Sequence, residues 1–151
     1  MFVVEESIVI DRAANDVFAQ VSDQTNAPRW QRGLAEVRRT TAGPIGVGTR
    51  HSVVRTFMGR RLELTNEYTQ YEPGRLVEFA FEGSMPGVAS YVVQPADGEL
   101  TNLVARIEVR PSGLARLAEP LMAAAMRRDV VANLASLKTL LEAEPRRGAP
   151  S

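Results

Sequence analysis

The stretch from Pro120 to Glu144, PLMAAAMRRDVVANLASLKTLLEAE, most constrains what this chain can fold into. Met122, Met126, Val130, Leu134, Leu137 and Leu141 step by four, four, four, three and four, which lines one face of a long helix with apolar groups. Arg127, Arg128, Asp129, Asn133, Ser136, Lys138 and Glu142 read as its solvated face. Such a stripe needs a matching apolar surface about 100° wide. Everything upstream reads as short alternating strands, so the partner is the inner face of one antiparallel sheet. The upper half of the stripe is rich in Met and Ala, side chains that adapt or leave room, and the lower half is Val and Leu, which fill space. The lower half is therefore expected to close a core and the upper half to roof a cavity.

Residues 2–10 form a first strand, ending where Asp11 is placed to cap a helix over Asn15–Val21. A second short helical piece opens at Ser22-Asp23 and carries Asn26, Pro28 and Trp30. Strand patterns follow at 34–41, 49–57, 61–71, 75–82, 88–95 and 101–110, separated by Gly- and Pro-containing turns. Pro120 is tolerated near a helix start, which makes 114–119 a separate lead-in turn. The expectation is α+β: one domain over residues 1–144 and a disordered tail over 145–151. Eighteen basic and eighteen acidic residues cancel, giving no electrostatic footprint for nucleic acid. Seventeen of the basic residues are Arg, read as the codon bias of a GC-rich bacterial genome. The N-terminus has no basic segment ahead of an apolar one and no apolar run is long enough to insert into a membrane, so a cytoplasmic protein is expected.

Several motifs together resemble the polyketide cyclase/dehydrase-like branch of the START/Bet v 1-like (SRPBCC) superfamily. They are Ile8-x-Ile10-Asp11 entering an apolar helix, Val21-Ser22-Asp23 leading to Pro28-x-Trp30, Val47-Gly48-Thr49-Arg50 opening a strand, Tyr71-Glu72-Pro73 between strands, and Asn133-Leu134-x-x-Leu137-Lys138-x-x-Leu141-Glu142. The resemblance covers nearly the whole chain. It implies a helix-grip fold: a curved seven-stranded antiparallel sheet wrapped around the long C-terminal helix, with two short helices after strand 1 and a lipophilic cavity between. It implies no reaction, because that superfamily includes carriers, receptors and cyclases alike.

Strand alternation selects the side chains that face the helix. Val77, Phe79 and Phe81 point inward in one strand, Ala89, Tyr91 and Val93 in the next, and Leu103, Ala105, Ile107 and Val109 in the last. If 49–57 and 61–71 form a hairpin about Met58-Gly59, one face pairs Val53 with Leu64, Arg55 with Leu62, and His51 with Asn66. The other face pairs Arg50 with Glu67, Ser52 with Thr65, Val54 with Glu63 and Thr56 with Arg61 and belongs in water. The candidate ligand-binding set is therefore Trp30, His51, Val53, Arg55, Phe57, Leu64, Asn66, Tyr68, Phe79, Phe81, Tyr91, Met122, Met126 and Val130. His51, the only histidine, reads with Asn66 either as a candidate acid/base pair or as a satisfied polar pair at a strand end. Arg55 reads either as a bidentate anchor for a carboxylate or enolate or as a stem packed inward with its guanidinium escaping to solvent. Tyr68 and Tyr91 are ligand-orienting hydroxyls or simple core. Trp30 resembles the family's tryptophan near the cavity entrance and is also a natural packing anchor. Glu6 falls among inward positions, as a buried carboxylate or as part of a fraying end.

One His and no Cys build neither a thiolate nucleophile nor a His-rich metal site, and no metal or cofactor is expected. Gly43-x-x-Gly46-x-Gly48 lacks the Lys-Ser/Thr of a phosphate loop. Three functions stay open. The chain binds a small lipophilic molecule such as a polyketide, quinone or lipid, as a monomer or homodimer. It is a cyclase, aromatase or dehydratase using the same cavity. Or it is a protein-interaction module.

Overall fold

In the computed structural model, which describes residues 1–146, seven strands form one antiparallel sheet. They are β1 (Phe2–Ile10), β2 (Leu34–Arg39), β3 (Arg50–Phe57), β4 (Arg60–Glu72), β5 (Leu76–Glu82), β6 (Gly87–Pro95) and β7 (Thr101–Val109). Their order across the sheet is β1-β7-β6-β5-β4-β3-β2. Helix α1 (Ala14–Ser22) and a 3-10 turn (Gln24–Arg29) connect β1 to β2, and a second 3-10 turn (Gly113–Ala118) leads into the long helix α2 (Glu119–Ala143). This is the helix-grip arrangement.

Local chemistry explains most boundaries. Met58 and Gly59 both adopt left-handed backbone, the two-residue turn whose twist suits a hairpin, and so set the β3–β4 register. His51 faces Asn66, Val53 faces Leu64 and Arg50 faces Glu67, the last as an ion pair at 2.5 Å on the solvent side. Pro120 sits in the first turn of α2, where its missing N–H costs nothing. Along α2, Met122, Val130, Leu134, Leu137 and Leu141 are buried and Met126 is half-buried against the same core.

Three expectations change. Asp11 does not cap α1, which starts from Ala13 without a side-chain cap. Asp11 instead pairs with Arg146 at 2.8 Å, while its N–H donates to Glu142 on α2. Arg146, expected in the disordered tail, also bridges to Glu99, and the rest of that tail, 147–151, lies outside the described residues. Glu6 is neither buried at the cavity nor fraying: it sits within the paired length of β1 and binds Arg127 of α2 at 3.2 Å. Among the described residues, no helix is long and apolar enough to cross a membrane.

Candidate functional site

Between the sheet and α2 lies a cavity of about 100 Å³. Its floor is the inner face of β3 to β7, contributing Val53, Phe57, Leu64, Phe79, Ala89, Ala105 and Val109 among others. Met126, Val130 and Leu134 of α2 form the roof, and Trp30 closes one side, 3% exposed and edge-on to Tyr91 at 5.9 Å. The wall is mainly apolar because strand parity and the helical stripe both direct apolar groups inward. Small-molecule sites are commonly about 300–1,000 Å³, so a polycyclic ligand requires flexible side chains such as Met85, Met126 and Arg55 to move aside.

Three polar groups interrupt the sheet side of this wall, Arg55, Tyr91 and Asn66. Arg55 enters from β3, with its Nε sealed from solvent and hydrogen-bonded to nothing. No carboxylate among the described residues lies within ion-pairing distance of it. Burial pulls its affinity for the proton below the usual guanidinium value, while Tyr91 and Asp129 act the other way. A guanidinium stays charged in proteins regardless. Tyr91 accepts a 3.4 Å hydrogen bond from Gln31 Nε2, so its own O–H is free to donate. Desolvation pushes that phenol up to about 12, which makes it a donor rather than a base. Asn66 reaches the cavity from β4 with its Oδ1 held by His51 Nδ1 at 3.1 Å.

Of the sequence-expected set, Trp30, Val53, Arg55, Phe57, Leu64, Asn66, Phe79, Phe81, Tyr91, Met126 and Val130 line this one space. His51, Tyr68 and Met122 do not. His51 is on the inner face as its parity requires, but it is only 1% exposed and packs at a tilt against Tyr68 at 5.5 Å. Tyr68 is covered by the segment joining α1 to the 3-10 turn: its hydroxyl donates to the Ser22 carbonyl at 2.6 Å and accepts from Gln24 N–H at 3.1 Å. Burial raises its phenol above the ordinary range, and with both hydrogen-bonding roles occupied it is a structural bolt. Met122 is buried beyond the cavity, in the first turns of a helix that lies against β1, where the Met1 amine pairs with Glu119.

Gln24, Gln31, Met85, Asp129 and Asn133 also line the cavity, although no sequence pattern marks them for it. The helical stripe puts Asp129 and Asn133 on the solvated face. Each precedes a stripe residue by one position, about 100° around the helix, which places it on the shoulder of the stripe at the cavity mouth. Asn133 Oδ1 there accepts the Arg32 N–H at 3.4 Å, tying α2 to the segment before β2. No cluster of metal-binding side chains occurs among the described residues.

The architecture is shared with several solved structures. An aromatase/cyclase from Streptomyces sp. R1128 superposes with a TM-score of 0.82 at 16% identity, covering 99% of each chain. A protein from Thermus thermophilus matches at 0.81 and 18% identity, covering 94% of this chain and 98% of its own. A START superfamily protein from Mycobacterium smegmatis matches at 0.81 and 11% identity, over 93% and 97%. At these identities the likeness is one of fold. No curated protein matches the chain in sequence. Residues 1–142, nearly all of the described chain, match the family described as polyketide cyclase/dehydrase and lipid transport, and this chain belongs to that family.

Proposed function

We propose that the protein binds a small hydrophobic molecule carrying an anionic or enolisable oxygen, seated between the sheet and α2 with that oxygen on Arg55. The observation that carries the proposal is a half-buried arginine on an otherwise apolar sheet wall, its Nε sealed and without a hydrogen-bond partner, with Asp129 at the cavity mouth too far away to pair with it. Burying a charge without a partner is costly and is tolerated where a ligand supplies the counter-charge. Tyr91 O–H and the Asn66 amide add neutral hydrogen-bonding groups along the same wall, enough to orient a polyketide-, quinone- or lipid-like body.

The second reading, a cyclase, aromatase or dehydratase, draws support from the family and from the aromatase/cyclase of the same fold. Arg55 beside Tyr91 would there stabilise an enolate while the cavity folds the chain. It is the weaker reading because His51, the one group poised to exchange protons near neutrality, is sealed behind the lining.

Native mass spectrometry of protein purified from its own host, followed by denaturing extraction, tests the proposal. A stoichiometric lipophilic acid, phenol or enol supports it. A persistent apo mass, together with no saturable uptake of aromatic acids, overturns it.

A further inference from the structure

We infer that His51 is a positioning residue that locks the Asn66 amide with its NH2 turned into the cavity, creating a subsite for a neutral ketone or quinone carbonyl of the ligand. The inference deepens the proposed function and rests on it. Asn66 Oδ1 lies 3.1 Å from His51 Nδ1, a bond in which only the ring nitrogen can donate. The alternative arrangement turns the amide over, so that Nδ2 donates to the ring and the carbonyl faces the cavity. It would require the ring proton to sit on Nε2.

Nε2 is buried and has no partner. A buried orphan N–H is rarer than an under-satisfied acceptor and costs more. The arrangement that leaves Nε2 as a bare lone pair is therefore preferred. The Asn66 NH2, bonded to no other group of the described chain, then becomes a donor on the β4 part of the wall, where its lining neighbours Leu62 and Leu64 are apolar. His51 packs at a tilt of 35° against Tyr68, which is itself pinned to Ser22 and Gln24, and turning the imidazole over would put a ring carbon in place of Nδ1 at Asn66 Oδ1 and lose the hydrogen bond. With Arg55 two pairs along the same hairpin face, the cavity recognises two acceptor oxygens of different kinds, one anionic and one neutral.

Prodan, a neutral naphthyl ketone whose emission moves to the red when its carbonyl accepts a hydrogen bond, is the probe. Wild-type protein should bind it saturably with red-shifted emission. Asn66→Leu should weaken binding about five-fold, the worth of one ordinary hydrogen bond, and move bound emission to the blue. His51→Phe should reproduce both effects, and the double variant should be no worse than Asn66→Leu alone. His51→Asn, which restores an N–H near the position of Nδ1, should recover the wild-type emission; a merely structural role for His51 would not predict that recovery. Should His51→Phe fail to fold, Asn66→Leu with His51→Asn still decides the matter. Bound emission unchanged by Asn66→Leu, or unrestored in His51→Asn, overturns the inference alone. No saturable prodan binding by a folded wild type that still takes up an aromatic acid overturns the inference alone, and uptake of neither overturns the ligand-binding proposal beneath it as well.

Discussion

Replacing Arg55 by Met separates what the residue costs the fold from what it gives a ligand. Met keeps the unbranched stem and fills similar space, but it removes a charge whose Nε is sealed and unpartnered. Swapping a buried ionic group for an apolar one of like size is commonly neutral or stabilising by about 1–4 kcal/mol. Arg55 keeps some contact with the mouth and with the field of Asp129, so the lower part of that range, about 1–2 kcal/mol, is expected. With an m-value of about 2 kcal/mol/M, the urea midpoint should rise by about 0.5–1 M. Binding should move the opposite way. A hydrogen bond to a charged group is worth about 1.5–3 kcal/mol, so affinity for anilinonaphthalene sulfonate, an aromatic anion, should fall about 10- to 100-fold. Neutral prodan should lose no more than about two-fold. Equilibrium urea melts and fluorescence titrations of the same preparations read both quantities. A variant that is destabilised by more than about 1 kcal/mol, yet holds the anion as tightly as wild type, would refute the reasoning and make Arg55 a packing residue.

The same geometry sets three further outcomes. Leu137 is fully buried outside the cavity lining and Leu134 borders the empty space, so Leu137→Ala should cost about 3–5 kcal/mol and Leu134→Ala about 2–3; equal costs in urea melts would show that the cavity is not where α2 places it. His51 has its pKa lowered from 6.5, by burial first, against the opposing pull of Asn66 and Asp23 and with a smaller contribution from Arg39 in the same direction. The unfolded chain therefore binds the proton more readily: stability should be complete above about pH 6.5 and decline as pH falls through the folded-state value. His51→Asn, lacking the only histidine, should abolish that slope below about pH 6.5, and a wild-type stability that stays flat as the pH is lowered from there would contradict the burial. At Gly87 an added methyl would strike the Glu108 carbonyl oxygen across the sheet and lie 2.7 Å from Phe81 Cζ. Gly87→Ala should destabilise by about 3 kcal/mol or more, whereas Gly98→Ala, with open space around it, should cost only the strain of its left-handed backbone.

The hairpin shows which parts of the site were legible in the sequence. Met58-Gly59 fixes where the chain turns, and a side-chain period of two then assigns every residue from Arg50 to Glu67 to a face. That is enough to bring Arg55 and Asn66 to the cavity and Arg50 and Glu67 to water. It is not enough to say how deep each inner residue lies. His51 and Asn66 are directly opposite one another, yet only Asn66 lines the cavity, because Ser22 and Gln24 engage Tyr68 and seal that end of the sheet. A contact between residues 46 positions apart carries no periodic signature. Met85, which lines the cavity from the turn between β5 and β6, had no pattern to announce it either.

The curvature that makes room for a ligand was hidden for a related reason. Residues 61–71 read as one uninterrupted alternating strand, but β4 is bulged between Tyr68 and Gln70: Tyr68 pairs with Phe79, whereas Gln70 pairs with Glu78. One residue is left over, the strand bends, and its local twist increases. Past the bulge the parity reverses, which is how Tyr68 and Tyr71, three apart, come to stack on one another at 6.5 Å on the same side of the sheet. Tyr71 then packs against Phe18 of α1 at 5.6 Å. The bulge thereby joins the inner face of the sheet to the short helices that seal it. An open antiparallel sheet that curls this way draws its centre away from α2 while its β1 edge stays in contact with the helix. The cavity is thus a consequence of the extra residue in β4 as much as of the apolar stripe on α2, and the sheet's share of its polar lining falls to Arg55, Asn66 and Tyr91 because Tyr68 is spent on holding the closure.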